Sequence, residues 1–260
     1  MAALKPKFDT YQDVRTNLAT WSVAFWAVCV FVSWQYVLTP EHRYVIAMLV
    51  PGTAEWARDL GKFVAAVAVG GIVSVVLVHL LEIHDHWYDR YIVRWRRHYD
   101  SQFIMPRLLA PYSGRLPTGA VELARSDAKE FMWKHFYQFV GDRHTKISPN
   151  LVVRFYERVT KYWLSQLAEI AALLLILTSG IYWLFVIALT DTSLTTSVIW
   201  VWGLSILAFA VSRAIGRGLR DPLSRATEAE IEAVHSTCKE DFEDALSGFL
   251  SKHGEELGDA

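Results

Sequence analysis

The residues with the densest chemical possibilities run without interruption from His84 to Asp100: His84-Asp85-His86-Trp87-Tyr88-Asp89-Arg90-Tyr91-Ile92-Val93-Arg94-Trp95-Arg96-Arg97-His98-Tyr99-Asp100. On a helix, Arg90, Arg94 and Arg97 share one face at spacings of four and three, while Trp87, Tyr88, Tyr91, Trp95 and Tyr99 gather on the adjoining side. Guanidinium forks beside aromatic planes suit phosphates and stacked bases. A nucleotide or single-stranded nucleic acid would use Arg90, Arg94, Trp95, Arg96 and Arg97, joined by Arg107, Arg115 or Arg143 of the same basic segment. The plainer reading makes these arginines positive-inside anchors that pair with Asp85, Asp89, Asp100 or an acidic tail, with the rings forming a core.

Metal chemistry is the next candidate, because His79, Glu82 and His86 would lie on one helix face with His84 nearby. The likeness to the histidine boxes of membrane desaturases is faint, since the chain has no His-His pair. No metal site and no catalytic residue are assigned. There is no Walker loop, no Gly-x-Ser-x-Gly elbow, no Cys-x-x-Cys pair and no zincin motif, and Gly216-Arg217-Gly218 reads as a loosened helix rather than a dinucleotide loop. The chain is read as a non-enzyme without a cofactor.

Two carboxylates stand apart by their depth. Glu82 falls where the second apolar run ends and Glu169 where the third begins, so both lie near one edge of a membrane. Ionisable residues there face the bundle or a water-filled cavity. Ion pairing with Arg213 or Arg15 is the modest reading; a ring of carboxylates at the inner mouth of a cation pathway, multiplied by oligomerisation, is the sharper one.

These residues are positioned by four apolar runs: Trp21 to Leu38, Phe63 to Leu81, Trp163 to Leu189 and Leu194 to Val211. Each is nearly free of charge and close to the ~20 residues that cross a hydrocarbon core. The hydrophobic fraction of 53%, the mean hydropathy of +0.21 and the eleven tryptophans agree with a membrane protein. The net charge of −1 hides a segregation. From Asp85 to Lys161 there are fourteen Lys or Arg against eight Asp or Glu; from Arg213 to Ala260 there are six against eleven.

Fifteen Lys or Arg flank the ends of the runs on one side, whereas the other side offers Arg43 and Arg58, with Lys62 at the edge of the second run. The positive-inside rule then puts both termini and the middle segment in the cytoplasm. The first run is followed by Thr39-Pro40-Glu41 rather than a small-x-small cleavage site, so it is expected to be retained. Cys29 and Cys238 have no evident disulfide partner. Trp21 and Trp163, and Trp34, Tyr36, Trp183, Trp200 and Trp202, are expected to form the inner and outer interfacial belts. Ala66, Gly70 and Ser74 would admit another helix closely, from this chain or a neighbour.

The fold class is accordingly all-α, with four transmembrane helices and long helices extending into a cytoplasmic helical domain. Residues 1–83 form the first hairpin with its outer connection, 84–161 the basic and aromatic region, 162–213 the second hairpin and 214–260 the acidic tail. Tyr44 to Val50 reads as a short interfacial helix. No Pro after the second run, and no Gly beyond Gly71, interrupts residues 63–100, which predicts one helix of about 55 Å. Ser148-Pro149 predicts the start of a second long helix leading into the third run. Pro106, Pro111, Gly114, Pro117 and Gly119 mark a loop before a helix from Ala120 to Val140. In the tail, Ile231, Val234, Cys238, Phe242, Leu246 and Phe249 share one helix face that must bury itself, most simply on its own chain.

A few spans joined to a compact cytoplasmic region, with the His84 to Tyr91 run, resembles the membrane effectors of bacterial anti-phage systems that respond to nucleotide or oligonucleotide signals. The resemblance covers architecture over most of the chain. It implies a homo-oligomer that forms or gates a pore, with any ligand using the basic middle segment. An oligomeric ion channel or pore-forming effector is therefore the leading expectation. A membrane scaffold holding a cytoplasmic partner and a metal-dependent membrane enzyme are its rivals.

Overall fold

The computed structural model describes residues 10–48, 55–83, 88, 103–112, 131–132, 136–140, 147–190 and 192–252. The expected ligand residues Arg90, Arg94, Trp95, Arg96, Arg97, Arg115 and Arg143 lie outside these, as do His84 and His86. Among the described residues the chain is helical and contains no strand. In chain order the elements are α1 (Tyr11–Val32), α2 (Pro40–Met48), α3 (Glu55–Val75), α4 (Met105–Leu109), α5 (Tyr137–Val140), α6 (Pro149–Thr190), α7 (Thr196–Thr237) and α8 (Lys239–Lys252). Four of these helices, α1 with its C-terminal extension, α3 with its own, α6 and α7, are long and apolar enough to cross a membrane.

Local chemistry explains most element limits. Thr10 and Asp13 cap α1 reciprocally: the Thr10 N–H donates to Asp13 Oδ2 at 2.9 Å and the Asp13 N–H to Thr10 Oγ1 at 3.1 Å. The short helix α2 begins earlier than the apolar stretch predicts, because Thr39 and Pro40 supply an N-cap and a first helical residue. Pro149 opens α6 as expected, and that helix continues for 42 residues. The segment expected as loop at Pro106 is instead α4 followed by a 3-10 turn, Ala110–Tyr112. Proline in a first helical turn forfeits no hydrogen bond, so it permits this. A turn at Phe136 precedes α5, and residues 120–130 and 133–135 of the helix expected there lie outside the described ones.

The expectation of one helix from Phe63 to Asp100 fails. α3 widens into a π-turn at Val76–Leu80, with the Leu81 N–H donating to Val76 O at 2.9 Å, and Glu82 follows in the left-handed region with φ 42°. Arg15 Nη2 donates to the freed His79 carbonyl at 2.9 Å, so a contact from α1 satisfies the broken end. α1 ends the same way, in a π-turn at Ser33–Val37.

The chain divides into two compact units, residues 1–14, 89–160 and 219–260 in one and residues 15–88 and 161–218 in the other. The first has an aromatic core. Met105, Leu108, Tyr112, Phe131, Phe136 and Phe139 pack with the tail stripe Ile231, Val234, Cys238, Phe242, Leu246 and Phe249, every member of which is buried. Phe131 and Phe249 meet edge to face at 5.2 Å, and the His235 ring bonds Leu108 O through Nε2 at 2.9 Å. Pro222 sits inside α7, its carbonyl accepting from Arg158 Nη1 at 2.7 Å.

The second unit holds the apolar helices. Gly70 and Ser74 of α3 lie against α1 of the same chain: Ser74 Oγ donates to Ala19 O at 2.6 Å and meets Ser22 Oγ at 2.5 Å. Leu184, Leu189, Ile199, Trp200 and Leu204 are exposed, a surface suited to hydrocarbon rather than water. Trp183 and Trp163, two of the expected belt residues, are buried against neighbouring helices, and the Trp183 indole donates to Val37 O at 3.0 Å.

Candidate functional site

Glu169 is the centre of the most heavily charged buried site among the described residues. α6 carries it on the face that also bears Tyr162, Ser165 and Gln166, all buried, which is the i, i+3, i+4 recurrence of a packed helix. α7 supplies Arg213, whose Nη1 donates to Glu169 Oε2 at 3.1 Å. The Tyr88 hydroxyl donates to the same oxygen. The carboxylate is thus 2% exposed yet carries a charged partner and a neutral donor.

Helix approach at this level depends on Gly216. A Cβ there would lie 2.8 Å from Ser165 Oγ and 3.6 Å from Glu169 Oε1. Three residues beyond Arg213, this glycine lets α7 lie against the acidic face of α6 while the arginine reaches over it. Burial, then the hydrogen bond and charge of Glu169, push the Tyr88 hydroxyl well above its ordinary range. It stays protonated and remains a donor.

Glu82 belongs to a second pair. Its Oε1 lies 3.3 Å from Arg15 Nη2, with both side chains partly exposed. Arg15 therefore serves two groups, the Glu82 carboxylate and the His79 carbonyl, and ties the end of α3 to the start of α1. The two expected acidic residues are each neutralised within the chain, Glu169 by Arg213 and Glu82 by Arg15.

Of the expected ligand arginines, Arg107 alone is described. It is half-exposed, lies 3.7 Å above the Phe103 ring centroid and stands 3.5 Å from Glu228. No group of three or more His, Cys, Asp or Glu able to hold a metal occurs among the described residues. Sequence reasoning named both possible arginine partners of the acids. It missed Tyr88 as a carboxylate donor and Gly216 as the residue that admits the contact. Tyr88 stands among several rings of its run with nothing local to single it out, and a glycine beside an arginine carries no local sign of what faces it.

No curated protein and no solved structure matches this chain. A family model does: that of the YmfE protein family matches residues 10–243, which takes in the four apolar helices and every member of the Glu169 and Glu82 pairs. The chain belongs to the YmfE protein family.

Proposed function

We propose that the chain is a four-span bacterial inner-membrane protein, with both termini and residues 84–161 cytoplasmic, that assembles as a homo-oligomer and conducts ions through a gated pore. The observation that carries this reading is the buried Glu169, held by Arg213 and Tyr88 where α6 meets α7. Ionisable groups embedded at the end of apolar spans mark ion paths and switching elements more often than inert packing. Because Glu169 is already neutralised within its own chain, it acts in this reading as a latch between two helices of the closed state. Opening exchanges the Arg213 pairing for water or a permeant cation.

The gating ligand is an anion taken by Arg90, Arg94, Arg96 and Arg97, a nucleotide or short single-stranded nucleic acid. It acts by binding the open state more tightly than the closed one. A role in phage defence follows from the architectural resemblance alone.

The test is conductance of the purified full chain in planar bilayers, with and without nucleotides or short single-stranded DNA. Ligand-dependent current that changes in E169Q supports the proposal, and silence under every condition removes it. A membrane scaffold is the second reading, favoured by the internal neutralisation of both acids, which leaves neither Glu82 nor Glu169 free to attract an ion. Co-purification of a stoichiometric protein without conductance would support it. Labelling of cysteines placed near residues 94–99 from outside intact cells would overturn the orientation common to both.

A further inference from the structure

The end of α3 breaks the helical rule in the second unit. The helix widens at Val76–Leu80, Leu81 keeps a right-handed conformation with φ −97° and ψ −15°, and Glu82 turns left-handed at φ 42°. Helical conformation resumes at Ile83 and holds at Tyr88. Leu81 and Glu82 thus interrupt what would otherwise wind on as one helix, and Glu82 is the one non-glycine residue of positive φ among the described residues. Glutamate is a good helix former and meets a steric penalty in the left-handed region, so local chemistry favours the right-handed alternative. Widened turns of this kind recur at functional sites.

One nitrogen opposes that preference. Arg15 Nη2 of α1 donates to His79 O at 2.9 Å and stands 3.3 Å from Glu82 Oε1, so it grips the chain on both sides of Leu80 and Leu81. His79 O is the acceptor that an uninterrupted α-helix gives to the Ile83 N–H. Val76 O, taken here by the Leu81 N–H at 2.9 Å, is the one it gives to Leu80. Arg15 therefore occupies the carbonyl that winding through would need. Leu80 and Leu81 are exposed, so little packing over them resists the change.

We propose that Val76–Glu82 is a two-state element, that Arg15 is the clasp holding its broken state, and that the broken state sets Tyr88 on Glu169. Tightening the π-turn and returning Glu82 to the right-handed region turns the chain from Ile83 onward about the α3 axis, by about 100° for each residue taken up. The Tyr88 hydroxyl, which donates to Glu169 Oε2, then leaves the carboxylate. Arg15 is a positioning residue: among the described residues it bonds neither Tyr88 nor Glu169, and it acts on their contact through the end of α3. The coupling stands whether or not the protein conducts ions.

Two measurements on the full chain in detergent test this: hydrogen–deuterium exchange over residues 76–83, and the shift in unfolding midpoint that Y88F causes in each background. R15Q should slow the exchange, because the Ile83 N–H gains His79 O, whereas loss of a mere tether would speed it. Y88F should lower the midpoint in wild type and leave it unchanged on R15Q, where Tyr88 has already left Glu169. E82A removes the other half of the clasp and favours the helix, so it should act as R15Q does. Glycine meets no penalty in the left-handed region, so R15Q/E82G should restore at least half of the Y88F shift, which a plain structural role of Arg15 would not produce. Faster exchange in folded R15Q or E82A, a full Y88F shift in either, or no return of the shift in R15Q/E82G would overturn the proposal. Failure of both R15Q and E82A to fold would do the same, because a two-state element leaves a folded alternative.

Discussion

Gly70 lies so close to Ala27 that a Cβ on residue 70 would stand 2.6 Å from the Ala27 amide nitrogen and 3.1 Å from the Val23 carbonyl oxygen. Both opposing atoms are backbone in α1, so nothing at the contact can rotate away. The next residue, Gly71, has nothing within 4 Å of the equivalent position. The α1–α3 pairing therefore depends on one glycine of two.

G70A should lower stability by about 1–3 kcal/mol through overpacking, despite the better helix propensity of alanine. G71A should be neutral or stabilising by up to about 1 kcal/mol. Thermal unfolding of the two variants in the same detergent checks the contrast, and equal losses would show that the contact is not tight.

Removing one partner of the Glu169 pair should cost more than removing both. R213Q leaves a buried carboxylate with the Tyr88 donor alone, at an expected loss of about 2–3 kcal/mol, below the range for fully buried pairs because the Arg213 side chain is 27% exposed. The double variant E169Q/R213Q should recover part of that loss. A double-mutant cycle on unfolding midpoints measures the coupling.

Tyr88 predicts an alkaline dependence. Its folded-state titration lies above the unfolded one, so its contribution is complete below the ordinary tyrosine value of about 10 and is lost as pH rises beyond it. Wild type should be more stable than Y88F at neutral pH, and the gap should begin to narrow above about pH 10. Unfolding midpoints of the two proteins across pH 7–11 give the comparison, and a constant gap would remove the assigned donor role.

Glu230 is 1% exposed, and among the described residues neither of its carboxyl oxygens has a hydrogen-bond partner. An unsatisfied buried carboxyl costs stability, so E230L should raise it, by about 1–3 kcal/mol on the scale of protein substitutions. Denaturant or thermal unfolding reads this directly. A loss instead of a gain would show that the carboxyl is engaged.

Phe242 is fully buried between Tyr112 and Phe139, with ring centroids at 5.6 and 6.0 Å. F242A should cost about 3–5 kcal/mol and free the tail from its unit. Rapid proteolysis after Lys239 or Lys252 in the variant, against resistance in wild type, is the expected signature.

The sequence alone determined what adds up locally. Eighteen or more nearly charge-free, mostly apolar residues carry their transfer free energy wherever the chain goes, so the four helices long and apolar enough to span were legible from composition. The stripe from Ile231 to Phe249 was legible from helical period, and the start of α6 from Ser148 and Pro149, because cap chemistry acts within one turn. Tertiary structure decided what depends on distant neighbours. The helix of α3 breaks off after the π-turn Val76–Leu80 without a glycine or proline, where Arg15, 64 residues away from His79, takes the opened carbonyl. Trp183 is buried because the Val37 carbonyl is there to accept from it, and Glu169 is neutral in sum because Gly216 lets α7 bring Arg213 near. Each is a choice of partner across 44 or more residues, and no local periodicity encodes which of several equally charged or equally small candidates will meet.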